Sequence, residues 1–148
     1  NKNRPLNFLY PHEREGNESE PPSPERSHKF SRDVAELHLF VHNRDKPFLS
    51  ILLTHLKSRL DPDGIDPGGY SRREAELRTL LEIYRELKTL RPDCPTVVAG
   101  DLNGNASPHT TDLEFLPLYG TTDLIDVCEL AQLKREDRWT FAQVNRNS

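Results

Sequence analysis

Between residues 33 and 56 the chain passes from one hydrophobic pattern to another. Ala35, Leu37, Leu39 and Val41 alternate with mostly polar neighbours, the period of a strand with one buried face. Arg44-Asp45-Lys46-Pro47 reads as a turn. Phe48-Leu49-Ser50-Ile51-Leu52-Leu53-Thr54-His55-Leu56 is then almost continuously apolar, as expected of a central strand buried on both faces. Together they predict a hairpin. Residues 57–70 carry two turn signals, Asp61-Pro62-Asp63-Gly64 and Pro67-Gly68-Gly69. Ser71 with Glu74 three residues later forms a capping box. Leu77, Leu80, Leu81, Tyr84 and Leu87 follow at helical spacing, and Pro92 stops the pattern. Thr96-Val97-Val98-Ala99-Gly100-Asp101 reads as the next buried strand.

A buried strand, a helix of about twenty residues and a second buried strand make a β-α-β unit. Strands joined in this way run parallel with a right-handed connection, so their C-terminal ends share one sheet edge. His55 closes the first strand and Asp101 the second. If the extended backbone continues through Gly100, Asp101 and Asn103 point to one side and Leu102 to the other. Open α/β sheets bind ligands at such an edge. An aspartate there can orient or deprotonate a water, or bind a hard cation. An asparagine can donate to a phosphate oxygen while its carbonyl meets the same ion. His55, Asp101 and Asn103 are therefore the candidate catalytic residues, with Asp101 and Asn103 as candidate metal ligands. Plainer roles compete: His55 as a satisfied edge histidine, and Asp101-Leu102-Asn103 as an Asx-turn. Arg72 and Arg73, in a first helical turn, are expected in solvent, and Lys57 and Arg59 on a charged loop.

The flanks are less regular. Leu6-Asn7-Phe8-Leu9-Tyr10 suits a strand end. Residues 11–28 hold Pro21, Pro22, Pro24 and several glutamates and serines, and are expected to form a mobile surface loop. Residues 123–133 predict a short helix with Leu124, Val127, Cys128 and Leu130 inward. Arg138-Trp139-Thr140-Phe141 looks like the start of another strand.

Composition narrows the function classes. The 148 residues suit one domain, and a net charge of -4 argues against general affinity for nucleic acid. No apolar run has membrane-spanning length and no signal-peptide pattern opens the chain, though a removed one would leave no trace. Cys94 and Cys128 cannot make a disulfide framework or a cysteine zinc site. His12, His28, His38, His42 and His109 lack metal-ligand spacing.

Leu53-Thr54-His55-Leu56-Lys57-Ser58 and Val98-Ala99-Gly100-Asp101-Leu102-Asn103, separated by an Arg-Arg-Glu-Ala helix, resemble the endonuclease/exonuclease/phosphatase (DNase I-like) superfamily. The resemblance spans residues 30–141. It implies a four-layer α/β sandwich of two mixed sheets with helices outside, and metal-dependent hydrolysis of phosphoester bonds using Mg2+, or Mn2+ or Ca2+. His55 then resembles the histidine that contacts the scissile phosphate or assists the leaving group. Asp101 resembles the aspartate that aligns or deprotonates the attacking water, and Asn103 the asparagine that holds a phosphate oxygen. The substrate would be a phosphate ester of nucleic acid, an inositol phosphate, a lipid or a nucleotide.

The family's early asparagine and metal-binding glutamate, and its late Asp-His pair, match nothing here. Residues 1–148 therefore resemble the central part of one such domain. Alone they are expected to be inactive, to bind magnesium weakly, and to be ordered by self-association through exposed sheet faces or by flanking chain. The alternative is a non-catalytic fragment of that fold that binds a phosphate ligand or a protein. A calcineurin-like phosphatase is excluded, because Ala106 stands where Gly104-Asn105 would need a histidine.

Overall fold

A computed structural model of the chain describes residues 3–16 and 20–138. It is a mixed α/β structure built on a three-stranded sheet. Strand β1 is Ala35–Leu39, β2 is Leu49–His55 and β3 is Thr96–Asp101, in the order β1-β2-β3. The β1–β2 hairpin is antiparallel, with Leu37 opposite Ile51. Helix α1, Tyr70–Leu90, carries the chain over to β3, which runs parallel to β2 with His55 opposite Asp101. Two short helices follow, α2 at Leu116–Gly120 and α3 at Val127–Leu130.

Helix α1 forms because its apolar positions make one stripe. Leu77, Leu80, Leu81, Tyr84 and Leu87 are all at most 4% exposed, and pack with Leu52 and Leu56 of the β2 side and with Val98 of β3. Each fully buried leucine contributes about 2 kcal/mol relative to exposure, far more than intrinsic helix propensity. Leu6, Phe30 and Val34 join the same core from the N-terminal segment. The helix start differs from the capping box expected at Ser71. Gly69 is the N-cap residue, and the Asp66 carboxylate accepts from the backbone N–H groups of Ser71 and Arg72 at 2.9 and 3.0 Å. A carboxylate from the preceding loop thus covers the N–H groups of Ser71 and Arg72 in place of a Ser71–Glu74 box, and also suits the positive helix end.

Among the described residues the sheet is covered on one face only, which corrects two expectations. Ser50, Leu52 and Thr54 of β2 are buried under α1, whereas Leu53 on the opposite face is 41% exposed. The alternating residues of β1 share that open face. Leu37 and Leu39 are exposed, as is Val41 beyond the strand end, and Val97 of β3 is exposed alongside them. The alternation identifies the shared face correctly, but nothing among the described residues lies over it. Helix α3 is likewise reversed from expectation. Val127 and Leu130 are each 71% exposed, and only Leu124, before the helix, packs on the core.

The described ends of the 11–28 stretch are tied together. Pro5 bridges Lys29, Leu6 N–H donates to the His28 carbonyl, and His28 N–H donates to that of Phe8. The expected strand at Trp139-Thr140-Phe141 lies outside the described residues.

Candidate functional site

The parallel register brings His55 and Asp101 to the same end of neighbouring strands, on the open face of the sheet. His55 Nε2 lies 3.6 Å from Asp101 Oδ2. That is beyond a hydrogen bond but within the range where charges interact, so the two groups face common space without locking each other. Their side chains are 43% and 60% exposed, which leaves both open to a ligand.

Gly100 makes this geometry possible. Its φ is +134°, and a Cβ there would stand 1.8 Å from the Thr54 carbonyl oxygen. Only glycine lets β3 approach β2 so closely just before Asp101.

Asn103 reaches the site by another route than the expected alternation. Strand β3 ends at Asp101, and Asn103 has a left-handed φ of +52°. Its backbone N–H donates to Asp101 Oδ1 at 2.9 Å, the bond of an Asx-turn. Its side-chain Nδ2 donates to the Leu56 carbonyl at 2.9 Å, while Leu56 N–H donates to the Asp101 carbonyl at 3.0 Å. Asn103 therefore joins the two strand ends. One of its amide hydrogens is committed to the backbone, and Asp101 keeps Oδ2 toward His55. The Asx-turn and a carboxylate open to solvent thus coexist in Asp101.

Of the two loop cations, Arg59 borders the site. Its Nε donates to the Asn103 carbonyl at 3.2 Å and its Nη2 to Asp112 Oδ2 at 2.5 Å, while Asp112 also accepts from Asn105 N–H at 2.8 Å. Lys57 turns away, its Nζ donating to the Leu60 carbonyl at 2.6 Å. Arg73, expected in solvent, is 3% exposed and paired with Glu114. No local sequence signal marks this pair, because Glu114 lies 41 residues from Arg73.

Among the described residues no three His, Cys, Asp or Glu side chains gather as a metal-binding group. Asp101 and Asn103 supply one carboxylate and one amide, too few oxygens for a resident calcium or magnesium cage. One carboxylate does fit a magnesium ion that keeps most of its waters and takes its other oxygens from a substrate phosphate.

Two surface concavities lie elsewhere. One, of about 660 Å3, is lined by Tyr84, Arg85, Lys88 and Asp123 among others. Its cations are already engaged: Lys88 Nζ is 3.5 Å from Asp123 Oδ2, and Arg85 Nη2 donates to Thr121 Oγ1 at 2.7 Å. Burial and the hydrogen bond to Asp123 push the Tyr84 hydroxyl well above the usual phenol range, and the Tyr84 hydroxyl holds the Asp123 carboxyl low. The other, of about 210 Å3, lies against α1 at Leu77, Leu81 and Pro117. No helix among the described residues is long and apolar enough to cross a membrane.

Comparison of the chain with protein-family models, with curated proteins and with solved structures finds no match.

Proposed function

We propose that the His55–Asp101–Asn103 edge is a phosphoester-hydrolysing site of the endonuclease/exonuclease/phosphatase type, dependent on a divalent cation. The observation that carries this reading is the parallel pairing of His55 with Asp101 at one open sheet edge, 3.6 Å apart. Asp101 orients the attacking water and takes its proton. His55 lies on the same side, placed to donate to a phosphate oxygen or to the leaving oxygen. Asn103 fixes the Asp101 carboxylate through its backbone N–H and ties it to the end of β2. A magnesium ion held by Asp101 and substrate phosphate would neutralise charge developing on the phosphoryl group.

The same reading makes this sheet one of two in a four-layer sandwich. Support comes from the open face, where Leu37, Leu39, Leu53 and Val97 form an apolar surface suited to packing against a second sheet. That exposed surface, with the small number of cation ligands, also favours the second reading: a phosphate-ligand or protein-binding piece without turnover.

The two separate by assay of bis(p-nitrophenyl) phosphate with magnesium, using residues 1–148 and the longer polypeptide that the resemblance implies. Hydrolysis that EDTA abolishes, magnesium restores and Asp101→Asn removes supports the enzyme. Binding of inorganic phosphate with no turnover in either form supports the second reading.

A further inference from the structure

Beneath the candidate site lies a buried polar frame that neither the resemblance nor the strand pairing accounts for. Glu76 is 0% exposed, and Arg73 and Glu114 are each 3% exposed. Buried charges of this kind are costly unless they are fully bonded, so their partners show what they hold. Glu76 accepts from Lys57 N–H at 2.6 Å through Oε2, and from Ser31 N–H and Oγ at 2.7 and 2.6 Å through Oε1. Arg73 Nη1 donates to the Lys57 carbonyl at 3.2 Å and to that of Gly68 at 2.9 Å. Both peptide groups of Lys57 are therefore gripped by α1. The other edge of the Arg73 guanidinium, Nε and Nη2, donates to Glu114 Oε1 at 3.0 and 2.6 Å. Glu114 lies in the 3-10 turn Leu113–Phe115, where the loop that begins at Asp101 folds back on α1.

One guanidinium thus joins the segment two residues past His55 to the loop that carries Asp101 and Asn103. The same two segments are joined directly by the Leu56 N–H bond to the Asp101 carbonyl and the Asn103 side-chain bond to the Leu56 carbonyl, and at the exposed rim by Arg59 to the Asn103 carbonyl and Asp112. We propose that Arg73, with Glu76 and Glu114, is a positioning group that sets the separation of His55 from Asp101 and Asn103. The inference rests on the hydrolytic reading of that edge. It adds residues that touch neither substrate nor cation but hold those that do. Displacement of a reacting group by about 1 Å costs on the order of 100-fold in rate, so a rigid frame here has a catalytic consequence.

The test uses backbone amide hydrogen exchange by NMR on the full chain, comparing the parent with R73K and E114Q. Lysine keeps the charge but cannot span both loops, and glutamine keeps an acceptor while losing the charge. In R73K the Leu56 and Lys57 amides should lose protection by at least about tenfold, with amides in the middle of β2 unchanged. The Asn103 side-chain amide resonances should shift with them. E114Q should fall between the parent and R73K, and decides the matter if R73K does not fold. Unchanged Leu56 and Lys57 protection, or an equal loss throughout β2, overturns the proposal, the latter because it marks global stability only. Where bis(p-nitrophenyl) phosphate is turned over, R73K should lower kcat about tenfold with KM within about twofold. If neither form assayed for the hydrolytic reading shows turnover while the exchange result holds, the hydrolytic reading fails and the positioning frame stands.

Discussion

His55 and Asp101 occupy one register pair of a parallel ladder, with Nε2 and Oδ2 3.6 Å apart on the open face of the sheet. Parallel strands present their C-terminal ends together, so the pair is a direct product of the β2-α1-β3 crossover. Asp101→Asn keeps the size and most of the Asx-turn geometry while removing the base. In the hydrolytic reading kcat should fall at least about 100-fold, with KM changed by less than about threefold. Steady-state kinetics on a phosphodiester checks this, and near-normal turnover would make Asp101 a structural residue.

Gly100 supports the same edge through backbone sterics. Gly100→Ala places a methyl group 1.8 Å from the Thr54 carbonyl oxygen and holds alanine at a φ of +134°. The two strands must separate or the backbone must rotate. The expected loss is at least about 2 kcal/mol, comparable with a strained backbone plus a broken ladder rung. Urea denaturation followed by circular dichroism measures it, and a shift within about 0.5 kcal/mol would show that the ladder tolerates the methyl group.

How far the site is legible in the sequence depends on how local each cause is. The α1 stripe and the parallel relation of β2 to β3 follow from spacing and from the strand-helix-strand order, and both are local. The place of His55 beside Asp101 follows from them. Asn103 does not, because its position comes from a left-handed turn after Gly100 and not from strand alternation. Arg73 is hidden for another reason. An arginine in a first helical turn is normally solvated, and its burial here depends on Glu114, 41 residues away. The open sheet face is a third case. Alternation tells which of Leu37, Ile51 and Leu53 lie together, but carries no information about what lies opposite.

The N-terminal segment is held in a pH-dependent way. Burial raises the Glu13 carboxyl, but the hydrogen bonds from Tyr10 N–H and from His28 outweigh it, holding Glu13 below its ordinary 4.5. A carboxyl lowered by folding stabilises the docked segment above its unfolded pKa, and that contribution disappears as pH falls through the folded value. Leu6 N–H, bonded to the His28 carbonyl, should therefore lose exchange protection as pH drops from about 5.5 to about 3, after correction for intrinsic rates. Glu13→Gln should weaken this dependence. A flat profile in the parent would show that the Glu13 contact adds nothing to docking.

The apolar face of the sheet makes the last prediction. Leu37, Leu39, Leu53 and Val97 are each about two-fifths exposed, on adjacent strands, with no described element over them. Soluble monomers rarely leave a contiguous apolar surface of this kind uncovered. Among the described residues the outer edges of β1 and β3 are unpaired as well, and open edges add backbone donors and acceptors to the same surface. Residues 1–148 should therefore associate with themselves in a concentration-dependent way. Leu53 is the position to alter, since it is centred on the face between Ala35 and Ala99 and lies away from the α1 core. Leu53→Lys puts a charge in the middle of the surface at little cost to the buried side. Sedimentation velocity should show the parent shifting to larger species as its concentration rises and the variant staying monomeric, with thermal midpoints within about 5 °C of each other. A parent that stays monomeric across the range would show that this face is stable in water as it stands.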